Sequence, residues 1–546
     1  MNVPTMTLSM KRLEESGATA EEIKSMIDRI GMSVESTEGD MITIEFTPNR
    51  MDLMDATGMV RALRLFSGRQ RPKEKQYGLK ADPALKINVD KSAPRIMPVI
   101  AGIVARGIDL SDGRAEDLIS FTEKLSATFG RKRHKMSVGL HDLDAIKGEI
   151  TYTAEKSGSM VPLGATAHSD YATIIKTHAK GIEFGGLLDG KSYPVLKAGK
   201  TTIALIPILN SETTKVTANT HNLFIDITGR SDTAVTQAAR MLACSMIDAG
   251  ADVYPCIVSK GKEHLTPEMS VRTVNLRRSE VERTLGIDTD DENIIKMANR
   301  MGYLAAKYGR SIMISIPQYR ADVISSQDIV EDIAISYGYD RITPQPVFGN
   351  SIGKPEEVNE FAEKLSTLLI GMGFTESMGM YITTEKDEFE SMGEKFDESG
   401  SVVLANSKSG SILRRSLMPS VLSILSASAH DPMPQNIFEV GHVFSIHAGK
   451  VSEEVMACFA TCGSKADFAA VKSHLMGLIR SFGTADVSFK DASSRSLITG
   501  RRAKVYVNHK EVGTIGEVHP IVLNNFKIEE PVSIAEMNIG KLMAAL

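Results

Sequence analysis

The sequence predicts an α+β protein built from several domains. At 546 residues the chain exceeds the span of one hydrophobic core, so roughly three to five domains of about 100–200 residues are expected. Alternating apolar runs and amphipathic helical patterns recur along the whole length. Hydrophobic residues make up 42% and charged residues 24%, ordinary values for folded domains, which argues against long disordered tails. No run of about 18 apolar residues is present, so no membrane span is expected. The amino terminus also lacks the three regions of a signal peptide, and a soluble cytoplasmic protein is the expectation.

A first block is drawn at 1–90. A short strand over 5–10 precedes Thr19, which with Glu22 fits a capping box. Ile23, Met26, Ile27 and Ile30 then mark one helical face. Two strands meet near Gly39, and Leu53, Met59, Leu63 and Leu65 suggest a second helix. Arg50 and Asp52 flank its entry, where Asp52 can complement the helix dipole or simply pair with Arg50. A second block, 91–262, mixes strand-like runs such as 99–105 with one long helix over 231–249.

A third block, 263–346, contains two more capping-box candidates, Ser279 with Glu282 and Thr289 with Glu292. Tyr308, Gly309 and Arg310 read as a turn between strands. A helix starting near Ser325 or Ser326 then carries Asp328, Glu331 and Asp332 at i, i+3 and i+4, on one face. Asp322 lies in its entry loop and can turn to the same side. Four converging carboxylates would repel, and magnesium or a basic partner would offset that. The alternative is an acidic first turn serving the helix dipole without any metal. After a linker at 344–354, the last block, 347–546, opens on an amphipathic helix over 358–372 and continues with strands, including a turn at Asn508.

Cys458 and Cys462 fall in an alternating apolar run, which favours buried thiols over zinc ligands, and the twelve histidines form no His-Glu-x-x-His motif. A net charge of −5 leaves nucleic-acid binding to local patches, of which the basic run 131–135 is the candidate. It can contact phosphates or be a solvated face.

Pro317, Arg320, Asp322, Asp328, Glu331, Asp332 and the run Tyr337, Gly338, Tyr339 fit P-x-x-R-x-D, a five-residue gap, D-x-x-E-[ED] and Y-G-Y. On this pattern the chain resembles the β subunit of phenylalanyl-tRNA synthetase, in its B5 region. Other segments resemble the family in the right order: Asn49, Arg50, Asp52 and Leu53; Gly139, His141, Asp142, Leu143 and Asp144; Leu413 to Pro419; Ile437 to Gly441; and Gly516 to Pro520. The length is similar to that of the archaeal and cytosolic eukaryotic type, and the resemblance spans essentially the whole chain.

The resemblance implies an amino-terminal α+β (B1-like) domain, a B3/B4-type editing domain, a winged-helix-like B5 domain and a class II synthetase catalytic-like antiparallel-sheet module. It also implies an α subunit as partner in an (αβ)2 heterotetramer, tRNA(Phe), and ATP as substrate of the complex. Asp322, Asp328, Glu331 and Asp332 would bind Mg2+ at the α-subunit boundary, with Asp332 standing where many relatives have Glu. Hydrolysis of mischarged Tyr-tRNA is implied for the B3/B4 block, with Ser211, Asp226 and Thr228 as candidates; cross-strand hydrogen bonds explain Asp226 and Thr228 equally well. The ATP motif G-x-G-x-E-R of an active class II site is not found in the sequence. The last module is therefore expected to be structural, with Arg414 and Arg415 on a solvated or interface face and aminoacylation on the α subunit. A structural RNA-binding scaffold and a free-standing deacylase are the rival readings.

Overall fold

The computed structural model describes residues 5–73, 77–92, 96–344, 346, 349, 352–404 and 411–546, so the expected linker 344–354 lies partly outside the described residues. The chain forms two compact units, 1–346 and 347–546. No described helix is long and apolar enough to cross a membrane.

The first unit opens with β1 (Thr5–Ser9), β2 (Ser33–Glu38) and β3 (Met41–Glu45), an antiparallel sheet with β3 in the middle. Helices α1 (Met10–Glu14), α2 (Ala20–Arg29) and α3 (Ala56–Phe66) accompany it. Thr19 and Glu22 close the expected capping box on α2, whose Ile23, Met26 and Ile27 are buried together with Ile42 and Ile44 of β3. The entry to α3 differs from expectation. Asp55, not Asp52, caps it by accepting from the Thr57 and Gly58 amides, which leaves Asp52 to pair with arginines.

A ten-stranded sheet follows. Its strands are β4 (Leu85–Val89), β5 (Val99–Arg106), β6 (Met136–Asp142), β7 (Ile150–Glu155), β10 (Tyr193–Ala198), β11 (Thr201–Leu205), β12 (Leu209–Asn210), β13 (Asn222–Gly229), β14 (Asp252–Lys260) and β15 (Lys262–Thr266). A separate two-stranded ladder joins β8 (Ser159–Met160) to β9 (Ser169–Asp170). The order is β12-β11-β10-β7-β4-β14-β5-β13-β6, with β15 paired to β14. Strand β4 falls inside the expected block 1–90 but runs parallel between β7 and β14. Its partner β14 lies some 170 residues later, and no local turn signal announces such a pairing.

Helix α4 (Arg114–Ala127) and the short α5 (Tyr171–Thr177) and α6 (Ala179–Phe184) precede α7 (Asp232–Asp248), capped by Ser231. Ala238, Ala239 and Leu242 of α7 pack with Ile103, Leu223 and Ile225 on one face of the sheet; Val104, Tyr152, Phe224 and Cys256 form a core on the other. Burial on both faces explains why β5 and β13 read as nearly continuous apolar runs.

The last part of this unit is a three-stranded sheet, β16 (Arg272–Leu276), β17 (Leu304–Tyr308) and β18 (Ser311–Ile316), with α8 (Arg278–Leu285), α9 (Asp291–Arg300) and α10 (Ser326–Tyr337). Neither expected capping box forms on the first two helices. Ser279 already lies inside α8, and Asp290, one residue after Thr289, caps α9.

The second unit is a seven-stranded sheet ordered β19-β22-β23-β27-β26-β25-β24, antiparallel except for the short β19. Its strands are β19 (Thr375–Glu376), β22 (Gln435–His447), β23 (Lys450–Cys462), β24 (Val487–Asp491), β25 (Leu497–Val507), β26 (Lys510–Val518) and β27 (Val532–Asn538); β20 (Ile382–Thr384) pairs with β21 (Ser411–Leu413). Asn508 and His509 carry positive φ at the tight β25–β26 turn. Helices α11 (Glu357–Gly371), α13 (Phe468–Phe482) and α15 (Ile539–Ala545) cover one face, and α12 (Met418–Ala427) and α14 (Pro520–Asn525) the other. Alternation along β23 sends Phe459 into the first core and Cys458 and Cys462 into the second, so both thiols are buried on a strand as expected. Phe459 meets the Phe374 ring edge-on at 5.5 Å. Phe459→Ala should cost about 3–5 kcal/mol through the cavity it leaves, read as a lower urea midpoint for unfolding.

Candidate functional site

Strands β6 and β13 build the first candidate site. They pair antiparallel, with Thr228 opposite Ser137, Asp226 opposite Gly139 and Phe224 opposite His141. These residues alternate with apolar neighbours, so all six lie on one face of the sheet. Thr228 bonds Ser137 at 3.1 Å, the cross-strand pair that its position on a strand allows. Asp226 Oδ2 accepts from His141 Nε2 at 3.1 Å, since a carboxylate only accepts, and His141 Nδ1 is hydrogen-bonded to Thr214 Oγ1 at 2.8 Å. The imidazole also stacks on Phe224 with ring centroids 5.7 Å apart. His141, Asp226 and Thr214 are all buried, and Asp226 Oδ1 has no hydrogen-bond partner among the described residues.

Gly139 makes this arrangement possible. A Cβ there would lie 2.0 Å from Asp226 Oδ2, so any larger residue would displace the carboxylate. Of the three predicted editing residues, the structure places only Asp226 in the cluster. Ser211, also buried, donates to the Val161 carbonyl and accepts from Thr213, holding the turn that carries Thr214.

The basic run divides. Arg131, Lys132, His134 and Lys135 are exposed, whereas Arg133 is buried and donates to the Pro207 and Ile208 carbonyls and to Glu123. Its guanidinium anchors the loop leading into Asn210 and Ser211, and is not a phosphate contact.

The second candidate site is the amino-terminal part of α10. Ser325 and Asp328 form a capping box, and Asp328 Oδ2 accepts from the Ile324 and Ser325 amides at 2.8 and 2.7 Å. These amides hold the carboxyl below its ordinary range despite the opposing effect of desolvation. Asp322 accepts two bonds from Arg320, at 2.9 and 2.7 Å. Asp332 accepts from the same guanidinium at 2.6 Å and from the Tyr303 hydroxyl. Glu331 is exposed on the outer side. Part of the repulsion expected among these carboxylates is offset within the chain itself: Arg320, two residues before Asp322, pairs with two of them. No group of three or more His, Cys, Asp or Glu side chains poised for a metal occurs among the described residues.

The second unit carries its own buried charges. Arg414, expected on a solvated or interface face, is buried and pairs with Glu439 at 2.5 Å, while the half-buried Arg415 pairs with Asp397. Glu388 accepts from the Arg415 and Ser416 amides at 2.7 and 2.9 Å. Burial outweighs those donors and pushes its carboxyl up to about 7. Glu536, half-buried nearby and accepting from Ser416 and Leu417, is also shifted upward by desolvation.

Residues 115–246 match the family model of the B3/4 domain, 274–339 the tRNA synthetase B5 domain, and 343–539 the phenylalanyl tRNA synthetase beta chain CLM domain. The phenylalanine–tRNA ligase beta subunit of Archaeoglobus fulgidus is 34% identical over 98% of both chains, and that of Methanocella arvoryzae 32% identical over 96% of both. The chain belongs to the phenylalanine–tRNA ligase β-subunit family. Among solved structures, an N-terminal fragment of the phenylalanyl-tRNA synthetase β subunit from Pyrococcus horikoshii superposes with a TM-score of 0.58 at 27% identity. It covers 61% of this chain and 99% of the fragment.

Membership in the phenylalanine–tRNA ligase β-subunit family implies a magnesium ion on α10, and the residues fit one only in part. Magnesium wants several oxygen ligands in octahedral geometry but commonly keeps waters and only one or two carboxylates. Glu331 and the Oδ1 atoms of Asp328 and Asp332 lie outside the hydrogen bonds of the described residues; both oxygens of Asp322 and Oδ2 of Asp332 are taken by Arg320. His141 was missed as a site residue even though its motif was noted, because its partner Asp226 is 85 residues away.

The raised Glu388 carboxyl gives a signed pH prediction. A carboxyl whose folded pKa of about 7 exceeds the ordinary 4.5 contributes stability that is fully present below pH 4.5 and lost as pH rises through about 7. Glu388→Gln should remove that loss. The variant should gain on wild type by about 2–4 kcal/mol between pH 4.5 and pH 7.5, measured by urea unfolding at each pH.

Proposed function

We propose that this chain works with an α subunit, as an (αβ)2 heterotetramer in the cytoplasm, to attach phenylalanine to tRNA(Phe) with ATP converted to AMP and diphosphate. The full-length similarity to curated phenylalanine–tRNA ligase β subunits carries this reading. The aminoacylation site lies on the α subunit. The chain contributes through the four blocks drawn at 1–90, 91–262, 263–346 and 347–546: assembly, tRNA contacts through the exposed residues of the 131–135 turn, editing, and magnesium binding by Glu331 and Asp328. Magnesium there would supply positive charge between the acidic helix and its partner surface.

Editing is assigned to the His141–Asp226 cluster: water adds to the ester carbonyl of Tyr-tRNA, the ester bond to the tRNA breaks, and free tyrosine and tRNA leave. Asp226 Oδ1, a buried acceptor with no hydrogen-bond partner among the described residues, is suited to the tyrosine hydroxyl that phenylalanine lacks. A site built to accept that proton can reject the substrate without it strongly, because the acceptor is otherwise left unpaired. His141 holds the carboxylate in place.

Two measurements test this reading. Co-expressed with its α subunit, the chain should support magnesium-dependent aminoacylation, whereas robust ATP–diphosphate exchange by the isolated chain would place the synthetic site here and refute the assignment. Asp226→Asn should lower Tyr-tRNA hydrolysis by about 10²-fold or more with tRNA affinity unchanged. Full hydrolysis by that variant would remove Asp226 from the site.

A further inference from the structure

Two loops far apart in sequence carry the same device. Arg50 donates from Nε and Nη2 to the two oxygens of Asp52 at 2.9 and 3.0 Å, and Arg320 does the same to Asp322 at 2.9 and 2.7 Å. Each is an Arg-x-Asp triplet closed into a bidentate fork, the geometry in which a planar guanidinium best matches a carboxylate. Both arginines are buried. The forks also share a field: Arg320 repels Arg50 and attracts Asp52, and Asp322 attracts Arg50.

A third buried arginine connects them to the large sheet. Arg61 donates to Asp52 at 3.1 Å and to Asp248, at the end of α7, at 2.5 Å, and its guanidinium stacks 3.7 Å from the centre of the Tyr319 ring. Tyr319 immediately precedes Arg320, and Tyr77 meets its ring edge-on while donating to Asp248. Arg50, Arg61 and Arg320 thus stand against Asp52, Asp248, Asp322 and Asp332, drawn from all three blocks of the first unit.

Asp322 spends both oxygens on Arg320 and Asp332 its Oδ2, so turning these atoms to a metal would take both counter-charges from Arg320. A guanidinium left buried without counter-charge is far costlier than a buried pair. Asp328 and Glu331 carry no such obligation: Asp328 spends one oxygen on its own helix, and Glu331 faces outward.

We propose that Asp322 and Asp332 are not magnesium ligands but the counter-ions of Arg320 in a buried arginine latch within the third block, beside the Tyr319 ring on which Arg61 of the first block stacks. The acidic motif then does two separate jobs. Its inner pair locks the fold, and its outer pair, Asp328 and Glu331, meets cations or a partner.

The test uses the full-length chain stripped of divalent ions with EDTA. Urea unfolding is measured for wild type, Asp322→Asn, Asp332→Asn and Glu331→Gln, and bound magnesium is then counted after dialysis against MgCl2. The latch predicts that Asp322→Asn and Asp332→Asn lower the metal-free midpoint by about 1 M urea or more, while Glu331→Gln leaves it in place. Bound magnesium should be lost in Glu331→Gln and retained in Asp322→Asn. An Asp322→Asn chain with an unchanged metal-free midpoint and no bound magnesium would overturn the proposal. If Asp332→Asn does not fold, the double variant Arg320→Met with Asp332→Asn should recover soluble folded chain, since it removes the orphaned charge; a double variant no better than the single would also overturn it.

Discussion

The buried guanidinium of Arg320 is the constraint around which the first unit is organised. A charge taken out of water must find carboxylates, and here they come from its own loop, at Asp322, and from the helix that follows, at Asp332. That demand fixes the entry angle of α10 and the position of Tyr319, whose ring in turn receives Arg61. Arg61 carries the same demand into the first block and the large sheet through Asp52 and Asp248. Hydrophobic contact alone would tolerate sliding between these elements; the bonds of Arg61 to Asp52 and Asp248 and its stack on Tyr319 hold them in one register.

The candidate editing cluster obeys the same logic on a smaller scale. Asp226 sits midway along β13, a strand buried on both faces, where an unpaired carboxylate oxygen is costly. The pleat supplies the geometry: Gly139 leaves the space, and His141, two residues along, reaches the oxygen that this space admits. One oxygen is held by the protein and the other is left open. In the second unit Arg414 and Glu439 show the buried pair again, while Glu388 and Glu536 gather the amides of a single chain segment.

Features that depend on a few neighbouring residues were legible in the sequence. The capping box at Thr19, the helix entry at Ser325, the turn at Gly309 and the alternation that buries Cys458 and Cys462 follow from local hydrogen-bonding geometry and a period of two. Local rules also misled by small amounts. Ser279 fits a capping box, but the chain turns helical one residue earlier, and Asp290 outcompetes the adjacent Thr289. What spacing could not reveal was partnership at long range. The parallel pairing of β4, the bond between His141 and Asp226, and the ion pair between Arg61 and Asp248 join residues about 85 to 190 positions apart. The acidic helix shows the consequence most clearly. Its one-faced pattern suggested a metal, whereas its inner carboxylates face an arginine whose side-chain direction no periodicity encodes.

Arg61 is the link on which cooperation across the first unit rests, so its removal tests the account most directly. Native-state hydrogen exchange of Arg61→Met should show faster exchange together in the β1–β3 sheet, in α7 and in the β16–β18 sheet, as one coupled opening. Faster exchange confined to α3, with the other elements protected as in wild type, would contradict the account and reduce these ion pairs to independent local contacts.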